Sequence, residues 1–185
     1  INSSSVAKMG LQNHSGVQKM VYAVGGIGGS RTDNLIKLAS VELGGLSVSN
    51  IRADYSGNAT GALADKRYDG LIGNEVLERF DVIFDFAECK MWVRPNRSFD
   101  TPSRYFFGVA LTPQKDCWVV NGLLEGGKAE KAGVKRGDRI VKINGKTPSE
   151  MSEAERKDLT HSREPWRATI SRGSTTIEVV IECED

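Results

Sequence analysis

Two histidines, three cysteines and 24 carboxylates are the side chains in this 185-residue chain that could carry acid–base, nucleophilic or metal chemistry. Their spacing argues against most of it. His14 and His161 lie far apart, with no cysteine or carboxylate pattern beside either, so both read as surface residues. Cys89, Cys117 and Cys183 are scattered, with no Cys-x-x-Cys. That excludes a structural zinc site and a disulfide scaffold, and leaves small buried hydrophobes as the reading of the thiols. There is no Gly-x-Ser-x-Gly nucleophile elbow and no His-Glu-x-x-His metal pair. The run Gly25-Gly26-Ile27-Gly28-Gly29 invites a phosphate-cradle reading, but Arg31 stands where the third glycine would fall. A hairpin tip fits better, because adjacent glycines permit positive φ and leave a loop free to move. Neither a metal nor an organic cofactor is expected.

The elements that position these residues are mostly strands. In the first part, Ser3 to Ser5 are expected to cap a short helix through Met9, ended by Gly10. Val17–Val24, Leu35–Leu43 and Leu46–Ile51 read as a meander of hairpins turning at Gly25–Gly29 and at Gly44-Gly45. Asp69-Gly70-Leu71-Ile72-Gly73 reads as a short buried strand, with Asn74 capping a helix through Arg79. Asp81–Phe86 and Lys90–Val93 read as a closing hairpin; Val82, Phe84 and Phe86 alternate with Asp81 and Asp85, the period of a half-buried strand.

Residues 98–103 hold turn formers and a proline, and read as a linker between a first domain at 1–97 and a second at 104–185. In the second domain, Phe106–Leu111, Trp118–Leu123 and Arg139–Asn144 read as strands, Lys128–Lys131 as a short helix stopped by Gly133, and Ser149–Thr160 as a longer one. Trp166–Ser171 and Thr175–Glu182 close it as a hairpin around Arg172-Gly173. The fold class is thus mainly β with short helices. A net charge of +1 argues against disorder and against a duplex-DNA binder held by a basic face, so no nucleic-acid partner is expected. No apolar run approaches the roughly 20 residues of a membrane-spanning helix.

The string Gly126-Gly127-Lys128-Ala129-Glu130-Lys131-Ala132-Gly133-Val134-Lys135-Arg136-Gly137-Asp138-Arg139-Ile140 resembles the core of a PDZ domain of the bacterial, protease-associated kind. Tyr105-Phe106-Phe107-Gly108-Val109 stands where that family has its carboxylate-binding loop. The resemblance implies that Phe107, Gly108 and Val109 supply N–H groups to a peptide's terminal carboxylate. It also implies that Val109, Leu111, Met151 and Leu159 line the side-chain pocket. Partners would be peptide or protein C-termini and extended strands, added to a sheet edge through main-chain hydrogen bonds. His161 lies at the far end of its helix, away from the family's ligand-selecting histidine, which leaves the peptide preference open.

Residues 69–85, Asp-Gly-Leu-Ile-Gly-Asn-Glu-Val-Leu-Glu-Arg-Phe-Asp-Val-Ile-Phe-Asp, resemble the retropepsin-like aspartic peptidases, especially bacterial members that carry a PDZ domain afterwards. The resemblance makes Leu71, Ile72 and Gly73 the hydrophobic–hydrophobic–glycine element of an incomplete β-barrel. Gly25, Gly26, Ile27, Gly28 and Gly29 become the substrate flap, and Ser3–Leu11 the segment after the catalytic loop. Catalysis in that family needs Asp-Thr-Gly or Asp-Ser-Gly, in which two carboxylates share one proton. The chain has neither, and Asp54-Tyr55-Ser56-Gly57 carries one residue too many. No catalytic residue is therefore assigned. By alignment of pattern the catalytic loop would end just before Ile1, so the chain reads as the inert later portion of an endopeptidase.

The resemblance further implies a homodimer or second lobe for the whole protein, and residence outside the cytoplasm, whether periplasmic, secreted or surface-anchored. A rival class stays open, a non-catalytic peptide-binding or scaffolding protein with a protease-like half. An unrelated β-barrel is the third reading. An Asp-Thr-Gly encoded upstream of Ile1 separates the first two.

Overall fold

Gly44 and Gly45, with φ of 59° and 78°, make the two-residue turn that only paired positive φ values allow, and the long hairpin of the first part closes on it. The computed structural model describes residues 1–13, 17–23, 30–56, 67–100 and 104–184. The expected flap, Gly25 to Gly29, and His14 lie outside these. The fold is mainly β with short helices, and it divides into two units, Ile1–Val17 with Asn34–Ser103, and Gln18–Asp33 with Arg104–Asp185.

In the first unit α1 (Ser3–Met9) is capped by Asn2, whose side chain accepts the Ser5 N–H at 2.9 Å, so the expected serine caps lie inside the helix instead. Gly10 ends it in the left-handed region. The segment of β2 from Asn34 to Leu43 leads through the glycine turn into β3 (Leu46–Ser56). Two small cores form: Val6, Ile36 and Tyr55, and separately Val48, Ile51, Val76 and Phe80.

Several expectations fail in this unit. Residues 69–73 form no strand, and Leu71 and Ile72 are exposed. The helix α2 (Asn74–Leu77) is capped by Gly73 without a side-chain bond and stops before Arg79. Asn74 instead donates to Glu78 Oε2 at 3.2 Å. The hairpin of β4 (Phe80–Asp85) and β5 (Lys90–Pro95) is a two-stranded sheet by itself. Phe84 and Phe86 are exposed, not half-buried, because nothing among the described residues of this unit covers the outer half of that ribbon. Cys89 is exposed as well, in the turn between the two strands, while Cys117 and Cys183 are buried thiols.

In the second unit β10 (Thr175–Ile181), β9 (Trp166–Arg172), β8 (Arg139–Ile143) and β7 (Trp118–Leu124) pair in that order, all antiparallel. β6 (Val109–Pro113) also pairs with β7, and Phe106 to Gly108 precede it as loop instead of strand. β1 (Gln18–Ala23) lies on the opposite edge of β7, with Met20 facing Leu124. That pairing is why residues 18–33, read from sequence as part of the first domain, cluster with the second unit.

Helix α3 (Lys128–Lys131) lies at the expected place. Helix α4 (Glu153–His161) starts four residues later than expected, because Glu150 folds back on Thr147, accepting its N–H at 2.8 Å and its hydroxyl at 2.9 Å. Ser152 then caps α4 in a reciprocal box with Glu155. One core runs through the unit, from Phe107, Trp118 and Val120 to Ile170, Ile181 and Cys183.

Candidate functional site

Two strands of the second unit, β6 and β10, keep an edge unpaired among the described residues, and β6 is the one that borders a groove. Among the described residues β6 pairs only with β7. Gly108 C=O accepts the Leu124 N–H at 2.8 Å, next to the facing pair Val109 and Leu123. Antiparallel ladders alternate, so the N–H and C=O of Val109 turn toward the other edge of β6. A β-bulge follows, where Asn121 is the extra residue opposite Ala110 and Leu111. Asn121 ties it to the partner strand by donating to Thr112 Oγ1 at 2.6 Å.

Across from that edge a groove of about 430 Å³ runs between β6 and α4. Leu111 and Pro113 form one wall, Arg156, Leu159 and Thr160 the other, and Trp118, Ile143 and Trp166 the floor. Its orientation is set by Tyr105, whose N–H donates to Thr160 C=O at 2.6 Å. The C-terminal end of α4 is thereby tied next to the loop that opens β6. Trp166 Nε1 donates to Leu159 C=O at 2.8 Å, which satisfies another terminal helix carbonyl.

The expected carboxylate loop is rigidly built. Phe107 is 2% exposed and its ring stacks on Trp166 at 4.1 Å between centroids. Gly108 has φ of 71°, a conformation that side chains disfavour. It also has no room: a Cβ there would stand 2.6 Å from Glu184 Oε1. Glu184 is held by accepting the Lys128 N–H at 2.6 Å, and its own N–H donates to Phe106 C=O at 2.7 Å. Gly108 therefore accommodates the chain's own glutamate.

The remaining sequence-predicted residues separate. Leu111 and Leu159 face each other across the groove. Met151 does not join them. It is 6% exposed in the core, and it borders a second cavity of about 280 Å³ on the other side of α4, with Glu155, Asp158 and Glu164. A turn at Thr147–Glu150 delays the helix and carries Met151 away. Arg156, Lys115, Trp166 and Glu184 were missed. Arg156 alone left a signal, standing three residues before Leu159 and so on the same helix face. His161 is exposed, with Nδ1 2.6 Å from Lys157 C=O.

In the first unit the residues named from sequence frame the chain's beginning. The Ile1 ammonium donates to Asp54 C=O at 2.7 Å, and Ile1 Cα lies 3.1 Å from where a Gly70 Cβ would be. Asn2 N–H donates to Asp69 C=O at 3.0 Å, and Ser5 Oγ donates to the Asp69 carboxylate at 2.5 Å. Asp69 thus anchors the first turn of α1. Among the described residues no cluster of His, Cys, Asp and Glu could hold a metal ion.

An antiparallel sheet with a spare edge facing a helix across an apolar groove is the framework of a strand-accepting module. Residues 119–164 match the family model of the PDZ domain, and the chain carries a PDZ domain there. Among solved structures, the chain is similar to the HtrA-type protease AlgW with a decapeptide, at 14% identity and a TM-score of 0.40, over 91% of this chain and 60% of that one. A variant of the same protease with a decapeptide gives 14% identity and a TM-score of 0.41, over 92% of this chain and 60% of that one. The chain therefore spans 60% of the length of these structures. No curated protein matches it.

Proposed function

We propose that the second unit captures the C-terminal end of an extended peptide, which adds as a strand to β6 opposite α4. The observation that carries this reading is the edge of β6, unpaired among the described residues, above a groove with apolar walls at Leu111 and Leu159. The peptide's main chain would pair with the outward groups of Val109 and its neighbours. Its last side chain would enter beside Leu159, and its carboxylate would meet the N–H groups at Phe107–Val109.

Replacing Gly108 is a poor test of that contact, because a side chain there would first collide with Glu184. Comparing one peptide with a free and an amidated C-terminus leaves the protein intact. The free acid is expected to bind at least tenfold more tightly by fluorescence anisotropy. Equal affinity would remove the carboxylate assignment.

The reading extends to the first unit, as a retropepsin-like lobe of an aspartic endopeptidase. It is supported by the string 69–85. Leu71, Ile72 and Gly73 would back that loop, and Gly25–Gly29 would close over a substrate. The whole protein would then hydrolyse peptide bonds through an aspartate-activated water. It would work as a dimer or with a second lobe, outside the cytoplasm, and its PDZ domain would recruit substrate ends. The 185 residues contain no Asp-Thr-Gly or Asp-Ser-Gly, so this chain by itself is expected to leave unfolded protein uncleaved at acid and neutral pH. Pepstatin-sensitive turnover by the pure chain would overturn that.

A further inference from the structure

We propose that the groove selects peptides bearing an Asp or Glu two positions before the C-terminal residue, read by Arg156 with help from Lys115. This rests on the peptide-capture reading above and adds the chemistry of the ligand to it. Arg156 and Lys115 are the charged residues lining the groove, and no carboxylate lines it. Glu153 stands three residues before Arg156 but does not line the groove. Glu155, Asp158 and Glu164 line the cavity on the other side of α4. Glu155 is further occupied by Lys146 and by the Ser152 cap, and Glu150 by Thr147. Asp116 follows Lys115 in the turn after β6 but does not line the groove. Arg156 makes a single hydrogen bond, from one terminal nitrogen to Pro148 C=O at 2.7 Å, which leaves the rest of its fork for an acceptor. Neither Arg156 nor Lys115 has a carboxylate partner among the described residues.

The geometry fixes the position read. The Tyr105–Thr160 bond ties the C-terminal end of α4 to the loop where the peptide would end. Going from Leu159 back to Arg156 moves about 4.5 Å away from that loop along the helix. An extended peptide advances about 3.3 Å per residue and returns a side chain to the same face every second residue. The side chain that meets Arg156 is therefore the one two before the last. Lys115 stands beyond it, in the turn that ends β6.

The test uses the full 185-residue chain and three valine-ended decapeptides that differ only at the third residue from the end, as Asp, Ala or Lys. By fluorescence anisotropy at low salt, the Asp peptide is expected to bind about threefold to fivefold more tightly than the Ala peptide, with the Lys peptide weakest. The preference should shrink as salt is raised. Arg156→Gln, which keeps a donor for Pro148, should remove most of the preference of the Asp peptide over the Ala peptide. Lys115→Gln, at an exposed position in the turn after β6, should remove a smaller part, and Arg156→Glu should reverse the order of Asp and Lys. Equal affinities for the three peptides, or a preference that survives the double Gln variant, overturn the proposal while leaving peptide capture intact. Failure of every peptide to bind, free or amidated, removes the capture reading and the preference together.

Discussion

Nearly all the large apolar side chains that are exposed among the described residues belong to the first unit: Leu71, Ile72, Ile83, Phe84, Phe86, Met91 and Trp92 stand out in it, whereas the second unit exposes only Val180. Strands of similar composition meet opposite fates. In β9, Trp166, Ala168 and Ile170 alternate into a continuous core, because the strand has neighbours on both edges and helices and loops over its face. In β4 the same alternation buries Phe80 and leaves Phe84 at 55% exposure, because a two-stranded ribbon supplies no second layer. Alternation specifies which residues share a face; burial requires something opposite that face.

That contrast can be broken most directly at its extremes. Phe107→Ala removes a buried ring stacked on Trp166 and is expected to cost about 3–4 kcal/mol in urea unfolding followed by tryptophan fluorescence. A loss below about 1 kcal/mol would mean that the core is looser than its burial implies. Asp138→Ala is expected to come next, at about 2–3 kcal/mol. Asp138 is 3% exposed; it accepts two bonds from Arg172 at 2.7 Å each and the Lys135 N–H at 2.8 Å. Its removal should lower the midpoint for the second unit while spectroscopic probes in the first stay unmoved.

Ser152→Ala, which deletes the cap of α4, is expected to cost about 1 kcal/mol by the same unfolding measurement. The same cap has a pH signature. Lys146, then the Ser152 N–H and hydroxyl, hold the Glu155 carboxyl down from 4.5 to about 2. A depressed carboxylate contributes fully above its ordinary value and loses that contribution as pH falls through its folded value, so the cap should persist until pH drops below 4.5 and fade toward 2. An NMR titration of Glu155 is expected to show the low midpoint, and Lys146→Gln to raise it. Smallest of all, Phe86→Ser, at 87% exposure, should change stability by less than about 0.5 kcal/mol and reduce self-association in sedimentation. A large destabilisation there would show that the ribbon is covered in solution.

Much of the second unit was legible from residues. Its glycines, the Asn144-Gly145 turn and the β9–β10 hairpin are local signals, and local signals survive without tertiary context. The start of α4 was misread because Ser149 looks like a cap as much as Ser152 does. What decides between them is which serine has a glutamate three residues on that reaches back, and Glu155 does. In the first unit the segment at Leu71 was misread for a different reason: apolar residues beside glycine suggest burial, yet Leu71 and Ile72 are exposed.

The amino-acid order alone determined the strand-rich class, the division into two parts, the absence of Asp-Thr-Gly and the glycine-bearing loop before β6, because composition, turn chemistry and motif spacing are properties of neighbouring residues. Tertiary structure alone decided that β1 pairs with β7, that Glu184 fills the space beside Gly108, that Met151 leaves the groove and that Arg156 enters it. Each of those depends on segments far apart in the chain meeting at one place, and one sequence carries no record of which distant segments meet.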